Sequence, residues 1–100
     1  MKNKITVSAQ KKILYLPHAI RQMSRIDRMI SKEDIRDTVF KGDIIEKYKN
    51  DTRGESCLVC YVGNRVIHVV CAPKSEYLAI ITAYIPDPTC WSDDFKKRIK

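Results

Sequence analysis

Residues 56–71 constrain this chain more than any other stretch: SCLVCYV and RVIHVVC, both rich in β-branched and other apolar side chains, flank the dipeptide Gly63-Asn64. Runs of that composition around a tight-turn pair read as a β-hairpin, with strands over 56–62 and 65–71. A lone hairpin buries too little apolar surface to stand in water, so the rest of the chain has to supply more strands and a cover. Residues 78–85 (LAIITAYI) are apolar at both parities, as a central strand covered on both faces would be, and Pro86 and Pro88 end the run. Residues 43–49 (DIIEKYK) supply a fourth strand, closed by the turn formers Asn50, Asp51, Thr52, Arg53 and Gly54.

The cover comes from the N-terminal half. Pro17 suits the first turn of a helix, and residues 17–28 follow a helical period. Ser31 and Asp34 bracket a capping box, Ser-Lys-Glu-Asp, for a second helix that turns Ile35, Val39 and Phe40 inward. Gly42 falls where a helix-terminating glycine with positive φ belongs. Residues 1–15 mix lysines with Ile5, Val7, Ile13 and Leu14 and read as a loosely determined start, with a short strand near either apolar pair. The tail, 91–100, reads as a short basic helix. The expectation is one α+β domain over 1–100, with two N-terminal helices packed on a four-stranded antiparallel sheet.

Composition narrows the class. At 44% hydrophobic and 31% charged, with three glycines, the chain has the make-up of a folded domain and not of a disordered tail. No run of about 18 apolar residues is present, and the start Met1-Lys2-Asn3-Lys4 is not followed by the apolar stretch of a secretory signal. A cytoplasmic protein without a membrane partner is expected. Cys57, Cys60, Cys71 and Cys90 lie scattered among apolar neighbours, as buried thiols in a reducing compartment do. Cys57 and Cys60 stand at opposite parities of one strand, so their sulfurs point to opposite faces and do not converge on zinc. There is no glycine-rich phosphate loop and no Gly-x-Ser-x-Gly elbow, and Asp34, Asp37, Glu46, Asp51 and Asp87 are scattered. Neither a metal nor a cofactor is expected.

Nineteen Lys and Arg against twelve Asp and Glu leave a formal charge of +7, which favours a polyanionic partner, nucleic acid or an acidic protein. If the helix runs to residue 28, His18, Arg21, Arg25 and Arg28 share an arc of about 80°, nearly opposite Ala19, Ile20, Met23, Ile26 and Ile30. Guanidinium groups fork onto phosphate oxygens, and an imidazole moves protons near neutral pH. RNA carries its own 2′-OH nucleophile, so a base, cations and an acid suffice to cleave it. The plain alternative is the solvated face of a basic amphipathic helix. His68, mid-strand between Ile67 and Val69, reads as a buried histidine or as a catalytic partner. Tyr84 and Tyr48, near strand ends, read as packing or as phenols offered to a substrate.

Several stretches together resemble the prokaryotic family described as domain of unknown function 4258. They are His18-Ala19 with Met23, Arg28-Met29-Ile30-Ser31, Gly42-Asp43-Ile44-Ile45-Glu46, Ser56-Cys57-Leu58-Val59, His68-Val69-Val70, and Ile81-Thr82-Ala83-Tyr84-Ile85-Pro86-Asp87-Pro88 followed by Trp91. They span residues 17–91. The resemblance implies a RelE-like fold and kinship with RelE and MqsR ribonuclease toxins. It further implies messenger RNA as substrate and a zinc-finger antitoxin as the protein partner. It carries functional roles onto His18, Arg28, His68, Tyr84, Asp87 and Trp91.

The expected function is therefore a toxin-type, metal-independent endoribonuclease. His18, His68 and Tyr84 would be its catalytic residues, and Arg21, Arg25 and Arg28 would bind phosphate. The rival is a non-catalytic basic module that holds nucleic acid or an acidic protein.

Overall fold

The computed structural model describes residues 1–52 and 54–100. Eight elements follow in order: α1 (Lys2–Lys11), β1 (Ile13–Tyr15), α2 (Pro17–Met23), α3 (Lys32–Lys41), β2 (Asp43–Tyr48), β3 (Ser56–Val62), β4 (Val66–Pro73) and β5 (Leu78–Tyr84). The strands form one sheet in the order β1-β5-β4-β3-β2. The pairs β2/β3, β3/β4 and β4/β5 are antiparallel, while β1 lies parallel to β5.

This corrects the expected architecture. Three helices and a five-stranded mixed sheet replace two helices on a four-stranded antiparallel one. Residues 1–15 are not a loose start: α1 buries Ile5, Ser8 and Ala9 at i, i+3 and i+4, and it packs on α3 and on the β4 and β5 strands. Two of those three residues are small, so the stripe is weak in hydropathy but lets the helix sit close. β1 falls at the second of the two apolar pairs, Ile13-Leu14, and brings Ile13 against Leu78 and Tyr15 against Ile80. The tail is not helical either. Trp91 and Arg98 pair as an isolated bridge, and residues 91–98 form a strap over the sheet face that the helices leave open.

The largest difference inside a predicted element is at α2. It ends at Met23, and the chain then turns back so that the Ile30 N–H donates to the Met23 carbonyl. Met29 takes φ 45 in that turn. Ile26, placed on the apolar stripe by a continuous helix, is instead 92% exposed. Arg25 and Arg28 leave the helix with it.

Elsewhere the local chemistry holds. The Ser31 hydroxyl accepts from the Asp34 N–H, and the Asp34 carboxylate accepts from the Ser31 N–H, the reciprocal box that starts α3. α3 then buries Ile35, Thr38 and Val39 against β3 and β4. The main core lies between helices and sheet and includes Ile5, Ala19, Ile35, Val59, Val69 and Ile80.

Gly42 serves a different purpose from the one expected. Its φ is −79, which any residue adopts, but a Cβ there would stand 2.5 Å from the Thr38 carbonyl oxygen, 2.7 Å from that of Cys60 and 2.9 Å from Val59 Cγ1. The glycine lets the end of α3 press directly on β3. Gly42→Ala should therefore destabilise the protein by about 1–3 kcal/mol through overpacking, read as a lower denaturant midpoint. A raised midpoint, as expected where alanine merely restricts the unfolded chain, would contradict this packing.

Candidate active site

Strand register sets the site. On the face away from the helices, Asp43 of β2 stands opposite Cys60 of β3, Cys60 opposite His68 of β4, and His68 opposite Tyr84 of β5, one row across four strands. The neighbouring row holds Glu46, Leu58, Val70 and Thr82 in the same order. Period-two alternation sends the flanking Val59, Val69 and Ala83 to the helix side instead.

His68 has no exposed surface, yet both of its ring nitrogens are engaged. Nε2 lies 2.8 Å from the Phe95 carbonyl oxygen, and Nδ1 lies 3.2 Å from the Tyr84 hydroxyl. A carbonyl only accepts, so Nε2 carries the proton, and in the neutral ring Nδ1 then accepts from Tyr84. Trp91, 5% exposed, meets the imidazole edge-on with centroids 4.5 Å apart, and Tyr84 does so at 5.3 Å. Burial pushes the His68 imidazole below its ordinary range, with the Phe95 carbonyl and Glu46 pulling the other way.

Beside this dyad is an ionic group. Arg98 donates from Nε to Glu46 Oε2 at 2.6 Å and from Nη2 to Oε1 at 3.0 Å, a two-pronged pair, and its guanidinium lies 4.7 Å from the Trp91 ring centroid. The Tyr48 hydroxyl donates a short hydrogen bond to Glu46. Hydrogen bonds from Arg98 hold the Glu46 carboxyl below the usual carboxylate range, whereas burial, and then the bond to Glu46, push the Tyr48 phenol up to about 12. Burial also raises the half-buried Tyr84 phenol, and the positive charges of Arg98 and Arg28 work against that rise.

The six residues singled out in the sequence thus separate. His68 and Tyr84 meet. Arg28, half-buried, donates to Gln22 Oε1 at 2.6 Å, and its charge reaches Tyr84. His18 is exposed in the first turn of α2, and only Arg21 shares that helix with it. Arg25 pairs with Asp27 at 3.2 Å in the turn that follows. The shared His18/Arg21/Arg25/Arg28 face therefore does not form, because it required a helix unbroken to residue 28. Glu46 and Arg98 were missed as a unit. They are 52 residues apart, and no local spacing signals such a pair.

Asp87 is exposed, and its carboxylate accepts from the backbone N–H and the hydroxyl of Thr89, which makes it a turn residue beyond β5. Cys57 and Cys60 lie on opposite sheet faces, Cys57 in the main core and Cys60 in the His68 row. Among the described residues, no three His, Cys, Asp or Glu side chains converge as a metal site would require. No helix among them is long and apolar enough to cross a membrane.

The arrangement of His68 and Tyr84 lies largely within residues 15–85, the region that matches the model of the family described as domain of unknown function 4258. The chain belongs to that family. No curated protein and no solved structure matches it.

Inside this family member the buried imidazole has a measurable consequence. A histidine whose folded-state pKa is depressed binds its proton more readily in the unfolded chain. The stability that depends on neutral His68 is then complete above about pH 6.5 and is lost as pH falls through the lower folded value. Unfolding free energy should accordingly decline from about pH 7 to pH 5, and this part of the decline should vanish in His68→Gln. An unchanged slope in that variant would show that His68 is not the group responsible.

Proposed function

We propose that this protein is an endoribonuclease that cleaves RNA without a metal ion, with Tyr84 and His68 acting together as the base. The single observation that carries the reading is the Tyr84 hydroxyl set 3.2 Å from His68 Nδ1 while Nε2 is held by the Phe95 carbonyl. Fully buried, His68 acts on a ligand only through a group it touches, and Tyr84 is that group. Its oxygen has lone pairs to accept a proton while its own hydrogen is already directed at Nδ1.

The RNA 2′-OH gives its proton to the Tyr84 oxygen, and the Tyr84 proton passes to His68 Nδ1. The freed 2′ oxygen attacks phosphorus. The bond to the 5′ oxygen breaks, and that oxygen takes a proton from water. A 2′,3′-cyclic phosphate and a 5′-hydroxyl end result. The imidazolium formed on the way is stabilised by the Phe95 carbonyl and the Glu46 charge, and it returns its proton to solvent through the Tyr84 hydroxyl. Arg98, through N–H groups not spent on Glu46, and Arg28 steady the charge on the phosphoryl oxygens. His18 and Arg21, exposed on α2, are left to contact the RNA backbone away from the reacting bond.

The resemblance to RelE and MqsR ribonuclease toxins read from the sequence extends the proposal to a cytoplasmic toxin restrained by a zinc-finger antitoxin, an extension that rests on the sequence pattern alone. A non-catalytic reading draws on a different place. Ile26 and Met29, 92% and 71% exposed beside Arg25 and Arg28, suit an apolar and acidic protein surface.

Incubated with RNA in EDTA, the protein should yield 2′,3′-cyclic phosphate ends. Tyr84→Phe should slow cleavage by about 10²–10⁴-fold. A substrate with a 2′-deoxy sugar at the scissile position should be inert. Binding without any turnover would favour the non-catalytic reading, and cleavage indifferent to Tyr84→Phe would remove the dyad from the mechanism.

A further inference from the structure

The residues after β5 do more than fill a sheet face. Residues 91–98 knit themselves into a loop: Ser92 N–H donates to the Lys97 carbonyl, Lys97 N–H to the Ser92 hydroxyl, Phe95 N–H to the Ser92 carbonyl, and Lys96 N–H to the Asp94 carboxylate. The loop crosses from β4 to β2. Over β4, the Phe95 carbonyl meets His68 Nε2 and Trp91 packs on the ring edge. Over β2, Lys96 pairs with Asp43 at 3.0 Å and Arg98 with Glu46 at 2.6 Å.

Phe95 itself has φ 61, a left-handed conformation that a β-carbon disfavours and that glycine adopts freely. Backbone strain thus sits at the residue whose carbonyl faces the imidazole. Observed strain of this kind points to a constraint imposed by the surroundings.

We propose that residues 91–98 form a positioning strap for the dyad: the Phe95 carbonyl fixes His68 with its proton on Nε2, leaving Nδ1 for Tyr84, and the two ion pairs to β2 latch the strap shut. The inference rests on the reading of His68 and Tyr84 as the base. A neutral imidazole free of that carbonyl would divide between two tautomers, and the one with its hydrogen on Nδ1 cannot accept from Tyr84. The latch is of a yielding kind. Both pairs reach solvent: side-chain exposures are 40% and 69% for Lys96 and Asp43, and 53% for Arg98 against 23% for the partly covered Glu46. Exposed pairs are weakened by salt and by competing anions, a phosphodiester backbone among them.

The test reads the tautomer directly. Long-range proton–nitrogen NMR of the protein labelled with ¹⁵N-histidine, without RNA, distinguishes a protonated ring nitrogen from an accepting one. Wild type should show His68 protonated at Nε2. The double variant Lys96→Glu/Arg98→Glu sets like charges against Asp43 and Glu46 and should lose that signature to an average of the two tautomers. Adding Asp43→Lys and Glu46→Lys to it reverses both pairs and should restore the signature. Phe95→Gly, which keeps the carbonyl and accepts positive φ, should retain it.

A wild-type proton on Nδ1, a signature unaffected by the double variant, or a loss not restored by charge reversal would each overturn the strap. RNA cleavage by the single variant Lys96→Glu, which leaves His68, Tyr84 and Arg98 intact, should fall by about ten- to a hundredfold. If the tautomer follows the latch but no variant and no wild-type sample cleaves RNA, the strap stands and the ribonuclease reading falls.

Discussion

One imidazole with no contact to water organises the open face of this sheet. A buried ring nitrogen without a partner is costly, so placing His68 mid-strand obliges the rest of the chain to supply a hydrogen-bond acceptor on one side and a donor on the other. β5 supplies the donor by register, because His68 and Tyr84 are directly opposed. The acceptor cannot come from the sheet, whose carbonyls serve the strand ladders. It comes from Phe95, and bringing Phe95 there requires the strap, its positive φ and its ion pairs to β2. The same interaction that satisfies the core thus shapes the surface where chemistry is proposed.

The two faces of the sheet divide the work. Helices α1, α2 and α3 cover one face with an apolar core, and that is where most of the stabilising burial lies. The other face carries a polar row that would be expensive to bury without partners, and it is closed by a short, polar, self-bonded strap instead of a helix. Among the described residues, no buried side-chain nitrogen or oxygen lacks a hydrogen-bond partner.

Much of the fold was legible where the signal is local. The hairpin around Gly63-Asn64 and the Ser31 capping box rest on contacts between near neighbours, the strand before Pro86 shows itself by an apolar run that needs no partner to be read, and all are present. What escaped depends on distance or on weak stripes. α1 shows little hydropathy because it buries Ser8 and Ala9 beside Ile5, and β1 is too short for any period to be visible. The sequence carries an uninterrupted helical pattern to residue 28, yet α2 ends at Met23, whose carbonyl accepts from the Ile30 N–H as the chain turns back. The expected loop after β2 is irregular at its described positions, with turns at Asn50 and Thr52 and a bend at Gly54, and Arg53 lies outside the described residues.

The candidate site was legible in its parts and not in its assembly. His68 and Tyr84 were each marked as candidates, but only strand register brings them face to face, and the pairing of Glu46 with Arg98 joins two segments with no shared pattern. In the proposed mechanism the two residues act as one relay and not as two independent aids. The most direct measurement is a double-mutant cycle on the rate of RNA cleavage, with His68→Gln, Tyr84→Phe and both together. A relay predicts that the double variant is no slower than the slower single variant, since removing either member already breaks the proton path. Effects that multiply would contradict it.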